Sequence, residues 1–283
     1  MRAVLEIGGT HVTAALADPG RAEIAARVTR RLEAHGSAED ILGTVVSCAA
    51  RLPAPPGAVW GVAVPGPFDY ARGIGLFEGV GKFDSLRGVD VRAALVKGLS
   101  GRPAGMAFLN DAHAFLLGEW HAGAARGHGR CAGITLGTGV GSAFLADGSP
   151  QTGGPGVPPQ GRADLLQLGG RPLEETVSRR AIRERYGGGR LDVAAIAFRA
   201  RTGDDRARTV LDEAFTALGR VLAPYVAAFG ASVLVVGGSM TGSWDLIGPA
   251  LRAGLGDTPV IVRTSRLAGD AALLGAAFAA AAT

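Results

Sequence analysis

Residues 7–18, IGGTHVTAALAD, and residues 136–147, LGTGVGSAFLAD, are two copies of one pattern, and no other feature limits the fold so tightly. They align without gaps, and the pairs Gly8/Gly137, Ala14/Ala143, Leu16/Leu145, Ala17/Ala146 and Asp18/Asp147 are identical. Each copy reads as an apolar strand, a tight Gly/Thr turn, and a second strand ending in Asp, which is the pattern of a β-hairpin. One such hairpin opens each half of a 283-residue chain, a length that suits two medium domains. The repeat therefore predicts two related α/β domains facing each other across a central cleft. A glycine turn also presents backbone N–H groups with no Cβ in the way, a natural nest for phosphate oxygens. Gly8, Gly9 and Thr10 in one copy, and Gly137, Thr138 and Gly139 in the other, are expected to hold the phosphates of one nucleoside triphosphate. Two commoner phosphate loops are set aside. There is no GxxxxGK[ST] segment. The run Gly137–Gly141 leads into Ser142-Ala143-Phe144-Leu145, a strand pattern where a dinucleotide fingerprint needs a helix.

Apolar residues make up 47% of the chain, enough for full cores. The longest near-continuous apolar stretch, Ala271–Ala282, falls short of the roughly 18 residues of a membrane span. The start runs straight into a strand pattern without a signal-peptide layout, so no membrane and a cytoplasmic location are expected. The net charge is +4 and the arginines are scattered, except for a run from Arg179 to Arg190. On a predicted helix such a run reads as a solvated face, and no nucleic-acid partner is expected. Lysine occurs only at Lys82 and Lys97. Cys48 and Cys131 have no metal-ligand spacing, which predicts two buried small apolar side chains, no disulfide and no zinc.

Between the repeats, the pattern predicts a strand then a helix over 21–51, a buried strand over 58–64 stopped by Pro65-Gly66-Pro67, and a helix over 89–99. A short strand at 107–109 and a helix over 112–123 follow. Gly148–Gly161 reads as a loop or flexible lid. Helices are predicted near 172–186, 191–201, 204–229 and 244–255, strands at 233–236 and 259–263, and an Ala-rich helix from about 270.

Asn110-Asp111 stands at a strand end before a helix, where open α/β sheets face their ligand. A carboxylate there can accept the proton of an attacking hydroxyl in phosphoryl transfer. It can equally be no more than a helix N-cap. Glu6, just before the first turn, can hold Mg²⁺ through water, or sit at a strand edge with a salt-bridge partner. Gly237-Gly238-Ser239 follows an apolar strand, and its glycines let backbone pass flat against an adenine or ribose. His113, His121 and His128 form no metal motif and are expected at or just behind the surface.

In chain order these segments resemble the ROK (repressor, open reading frame, kinase) group of sugar kinases, over essentially the whole chain. The resemblance rests on Glu6-Ile7-Gly8-Gly9-Thr10, on Pro65-Gly66-Pro67, and on Asn110–Ala114 with Gly118-Glu119. It rests further on Leu136–Gly141, Val236–Ser239 and Gly269-Asp270-Ala271 onward. It implies two ribonuclease H/actin-like ATPase domains: residues 1–110, with a C-terminal helix over about 270–283, on the substrate side, and residues 111–269 on the nucleotide side. It implies Asp111 as general base, and Pro65, Gly66, Asn110 and Glu174 beside the sugar. ATP and Mg²⁺ would be the cofactors, Gly237, Gly238 and Ser239 would meet the adenosine, and the assembly would be a homodimer. With a strand at the very start, the kinase branch rather than the repressor branch is expected. The departures lie at Glu6, where the family usually has Asp, and at His11, where it often has Lys. The cysteine-rich zinc motif and its glycine-histidine pair are absent, and the Asn that usually precedes a Trp is replaced near Lys82. The expected activity is phosphorylation of a hydroxyl on a sugar or sugar-like polyol, glucokinase-like. A kinase of a modified sugar or C7-cyclitol, and a catalytically weak regulator that binds nucleotide or sugar, are the alternatives.

Overall fold

The computed structural model describes residues 1–189 and 191–282; Arg190 and Thr283, which close the arginine run and the expected last helix, lie outside the described residues. The chain divides into one compact unit, Met1–Gly118 together with the chain from Gly269, and a second, Glu119–Ala268.

The first unit contains strands β1 (Arg2–Ile7), β2 (His11–Asp18) and β3 (Glu23–Arg31), helix α1 (Ala38–Ala49) and strand β4 (Val59–Val64). A small hairpin of β5 (Phe68–Asp69) and β6 (Ile74–Gly75), helix α2 (Val91–Gly98), strand β7 (Gly105–Asn110) and most of helix α3 (Asp111–Ala122) follow. Its sheet runs β3-β2-β1-β4-β7; the first three strands are antiparallel neighbours, and β1, β4 and β7 are parallel. Helix α1 buries Ile41, Val45, Cys48 and Ala49 on the core side of this sheet.

The second unit repeats the plan. Strands β8 (Arg130–Leu136), β9 (Val140–Ala146) and β10 (Ser149–Pro150) meander, and β11 (Gln167–Leu168) pairs with β12 (Arg171–Pro172). Helices α4 (Glu174–Val177), α5 (Arg179–Tyr186), α6 (Val193–Arg201) and α7 (Asp205–Phe229) precede β13 (Val233–Gly237), α8 (Trp244–Leu255) and β14 (Ile261–Thr264). The sheet order β10-β9-β8-β13-β14, with β8, β13 and β14 parallel, mirrors that of the first unit. Helix α9 (Ala271–Ala281) returns to the first unit.

The duplicated segments are both hairpins, but their registers differ. Ile7 faces Val12 across the first, whereas Leu136 faces Val140 across the second, so the second turn is one residue tighter. The helix predicted over 172–186 breaks at Ser178, whose buried hydroxyl caps α5 by accepting from the Ala181 N–H at 3.3 Å.

The division of the chain falls inside α3, not at 110/111, for two reasons. Ala114 and Gly118 pack against α9 so closely that a Cβ on Gly275 would stand 1.8 Å from the Ala114 carbonyl oxygen, and one on Gly118 2.1 Å from that of Ala271. Glu119, fully buried, turns its carboxylate the other way. It accepts from the Ala124 N–H at 2.6 Å, the Ser265 hydroxyl at 2.5 Å, the Leu267 N–H at 2.9 Å and the Arg266 N–H at 3.2 Å. A buried carboxylate with so many donors is satisfied rather than strained. The small side chains of α9 serve this close packing, and no described helix is long and apolar enough to cross a membrane.

Gly148–Gly161 is an anchored loop rather than a free lid. The Ser142 hydroxyl donates to the Gly161 carbonyl at 2.6 Å and accepts from the Ala163 N–H at 2.8 Å, and Gly156 lies against the backbone of Phe229.

Candidate active site

Parallel register gathers the first unit's expected residues at one sheet edge. Glu6 pairs with Ala63, and Val64 pairs with Asn110, so the carboxyl ends of β1, β4 and β7 lie side by side. From these ends project Glu6, the turn Pro65-Gly66 with its cis bond to Pro67, and Asn110-Asp111. This is the edge at which open sheets bind ligands.

The capping question left open at Asp111 has a definite answer. Asn110 caps α3: its Oδ1 accepts from the Ala112 N–H at 2.9 Å and the His113 N–H at 3.3 Å. Its Nδ2 donates to the Tyr70 hydroxyl at 3.1 Å, and Tyr70 donates to the Val64 carbonyl at 3.4 Å. The oxygen of Asn110 is thus committed to the helix, and its amide also hydrogen-bonds the Asp111 carboxylate. Asp111 itself accepts from the adjacent Ala112 N–H at 2.9 Å. Burial pushes its carboxyl above the ordinary range, opposed first by the charge of Lys82. A carboxylate raised by desolvation and not consumed by a cap is a capable proton acceptor.

Glu6 is raised from 4.5 to about 7, first by burial and then by the charge of Asp111, with Arg27 opposing. Two neighbouring carboxylates in a poorly solvated corner are what a divalent cation relieves, and Mg²⁺, which keeps several waters, fits a site with so few protein ligands. No group of three or more His, Cys, Asp or Glu among the described residues is arranged to hold a metal. Arg27 itself pairs with Asp270 at the start of α9.

The shift at Glu6 has a thermodynamic consequence. With a folded pKa above the unfolded one, the folded state keeps a proton that the unfolded chain releases. The contribution to stability is full below pH 4.5 and is lost as pH rises toward about 7. The loss is of order 1–3 kcal/mol. Glu6→Gln is expected to raise the melting temperature by several degrees at pH 8 in EDTA and to leave it unchanged near pH 4. Equal shifts at both pH values would show that the charge is not the source.

The turns differ in detail from a simple nest. The Gly8 N–H donates to the His11 carbonyl at 2.9 Å, and the Gly137 N–H to the Gly139 carbonyl at 3.1 Å. Each bond closes its own turn. In the second unit, Gly137–Gly139, Glu174 and Gly237-Gly238-Ser239 come together. A Cβ on Gly139 would stand 2.3 Å from Glu174 Oε1, so Glu174 lies against the second turn. Gly238, at φ +89°, lies against backbone rather than open space: a Cβ there would stand 2.2 Å from the Leu136 carbonyl oxygen. Burial holds the His113 imidazole down at about 4, so it is neutral at pH 7. Cys48 and Cys131 are buried free thiols, as the spacing predicted, and burial pushes Cys131 up to about 12.

Three residues escaped the sequence reading. Tyr70 ties Gly66 to Asn110: its hydroxyl lies 3.2 Å from where a Gly66 Cβ would be. Arg179 is half-buried, donating its backbone N–H to the Gly137 carbonyl at 3.3 Å and its guanidinium to Ser239 Oγ at 3.2 Å. It opens α5 with no acidic residue in the first turn, a poor place for a cation unless an anion is near. It was hidden in a run read as a solvated face. In the sequence, Lys82 stands out only beside a departure from the family pattern.

A model of the ROK family matches residues 2–282. A glucokinase of Thermotoga maritima is 29% identical over 96% of this chain and 95% of its own length. The ROK hexokinase of Thermus thermophilus is 25% identical with a TM-score of 0.77, covering 99% of this chain and 98% of that one. The inorganic polyphosphate/ATP-glucomannokinase of Arthrobacter sp. strain KM is 26% identical with a TM-score of 0.75, covering 100% and 99%. The two repeated α/β units are those of the actin-like ATPase fold. Matched along nearly its whole length, the chain belongs to the ROK family.

Proposed function

We propose that this chain is a carbohydrate kinase that uses ATP and Mg²⁺ to phosphorylate a hydroxyl of a sugar or sugar-like polyol. The observation that carries the reading is Asp111, a half-buried, poorly solvated carboxylate at the joined carboxyl ends of three parallel strands, with Asn110 taking the cap in its place. The named kinases among its relatives agree with it. In this reading Asp111 accepts the proton of the attacking hydroxyl. Pro65, Gly66 and Asn110, braced by Tyr70, position the acceptor. Gly9 and Thr10, Thr138 and Gly139 offer amides to phosphate oxygens, Gly137 leaves them room, and Gly237-Gly238-Ser239 shapes the nucleoside side. Glu6, through water, would hold the metal, which when bound supplies charge neutralisation for the phosphates. Glu174, against the second turn, contacts the substrate. Zinc has no part in it, the enzyme works in the cytoplasm as a homodimer, and neither nucleic acid nor membrane is a partner.

The acceptor is expected to be something other than glucose. A site that buries hexose hydroxyls must pair each one, and each left unpaired costs roughly 1–3 kcal/mol. Relative to the family pattern, two partners are missing here: the glycine-histidine pair's His, and the Asn replaced near Lys82. Two such losses correspond to about one to four decades in affinity. The test is an ADP-release assay over hexoses, N-acylated hexosamines, anionic sugars and cyclitols, with metal analysis of the same preparation. Glucose turning over fastest, with an ordinary micromolar-to-millimolar KM, would overturn the acceptor assignment. No ADP release with any acceptor would overturn the kinase reading in favour of a binding regulator.

A further inference from the structure

Lys82 interrupts an exposed segment. Residues 78–81 are exposed, and Gly79 and Gly81 have left-handed φ of +66° and +70°. Immediately after Lys82, Phe83 is fully buried. It donates its N–H to the Ala34 carbonyl at 2.7 Å, and its ring lies 5.3 Å from that of Phe77. Phe83 is an anchor, and Lys82 is held, partly buried, beside it.

The lysine stem lies across the first turn. Its Cδ is 3.5 Å from where a Cβ on Gly9 would stand. Its charge is the first of the influences that oppose the rise at Asp111. Yet among the described residues the ammonium makes no hydrogen bond and no ion pair, with Asp111 or any other group. A cation stationed over the first turn, whose charge acts on the Asp111 carboxylate without pairing to it, lacks an anion. The His11 imidazole at the turn is exposed, with its Nδ1 bonded to Thr10 Oγ1 at 2.9 Å.

We propose that Lys82, with the amides of Gly9 and Thr10, forms an anion subsite for the phosphoryl group in transfer, and that Lys82 is a catalytic residue of the reaction. The inference rests on the kinase reading above. In the step it serves, an oxygen–phosphorus bond forms from the acceptor hydroxyl to the γ-phosphorus, and that hydroxyl's proton passes to Asp111. The bond from the γ-phosphorus to the bridging oxygen breaks, and its electron pair leaves with ADP. Lys82 neutralises charge on the non-bridging oxygens, and its compact ammonium suits a narrow place over a glycine turn better than a planar guanidinium would.

The experiment compares Lys82→Ala and Lys82→Arg with Lys97→Ala, a control at an exposed position on α2. Lys82→Ala is expected to lower kcat about a hundredfold with the acceptor KM within about threefold of wild type and an unchanged melting temperature. Lys82→Arg should recover part of the rate, and Lys97→Ala none of the defect. In a second arm, inorganic tripolyphosphate should raise the melting temperature of the wild-type protein, and at least half of that rise should vanish in Lys82→Ala. A kcat within fivefold of wild type, or a loss confined to acceptor KM, would overturn the assignment. If the wild-type chain phosphorylates no acceptor, the kinase reading fails separately. The tripolyphosphate arm then decides the subsite: a rise that does not depend on Lys82 overturns it, and a Lys82-dependent rise upholds it.

Discussion

Asp111→Asn is expected to lower turnover at least about a hundredfold while leaving ATP affinity nearly unchanged, the scale for losing a positioned base. The substitution is nearly isosteric, and the helix does not need the carboxylate. Asn110 already receives the Ala112 and His113 amides, and an Asn at 111 can still accept from Ala112. The melting temperature should therefore hold or rise, because a carboxylate raised by burial is replaced by a neutral group. A cap or a structural ion pair would behave in the opposite way, with stability falling and turnover following it. The measurement is steady-state kinetics beside thermal unfolding. Near wild-type turnover would remove Asp111 from the chemistry.

Much of this arrangement was legible because it depends on local chemistry. Gly-Gly-Thr and Gly-Thr-Gly make tight turns wherever they occur between apolar alternations, so both hairpins could be read and paired. Asn110-Asp111 could be placed at a strand end because a short apolar run precedes it and a helical pattern follows. What stayed hidden depends on pairing over distance. The one-residue difference between the hairpins is invisible in a gapless alignment, because register is set by the partner strand. The choice of Asn110 over Asp111 as the cap needs the geometry of both side chains. Arg179 looked like its exposed neighbours, since composition does not say which member of a run turns toward Gly137 and Ser239. The loop at 148–161 has the composition of a lid, but its anchors, Ser142 and Phe229, lie elsewhere in the chain.

Two glycine substitutions in the second unit should separate phosphate binding from folding. Gly137→Val is expected to leave the apoprotein's melting temperature within a few degrees of wild type and to abolish its stabilisation by ATP and Mg²⁺. A Cβ at Gly137 meets nothing within 4 Å, so the free protein has room for the side chain. That open space adjoins the Thr138 and Gly139 amides, and valine would fill it where phosphate oxygens must approach backbone. A ligand at a hundredfold its Kd stabilises the folded state by about 2.7 kcal/mol, so the lost shift is easily measured. Gly238→Val should do the reverse. Its φ of +89° is unsuited to a β-branched residue, and its Cβ would stand 2.2 Å from the carbonyl oxygen and 2.6 Å from the nitrogen of Leu136, neither of which can move without breaking β8. The expected cost is at least about 3 kcal/mol, and the variant should unfold early or fail to accumulate. Gly137→Val with an undiminished ATP-dependent thermal shift would mean that the second turn shapes the sheet and does not bind phosphate.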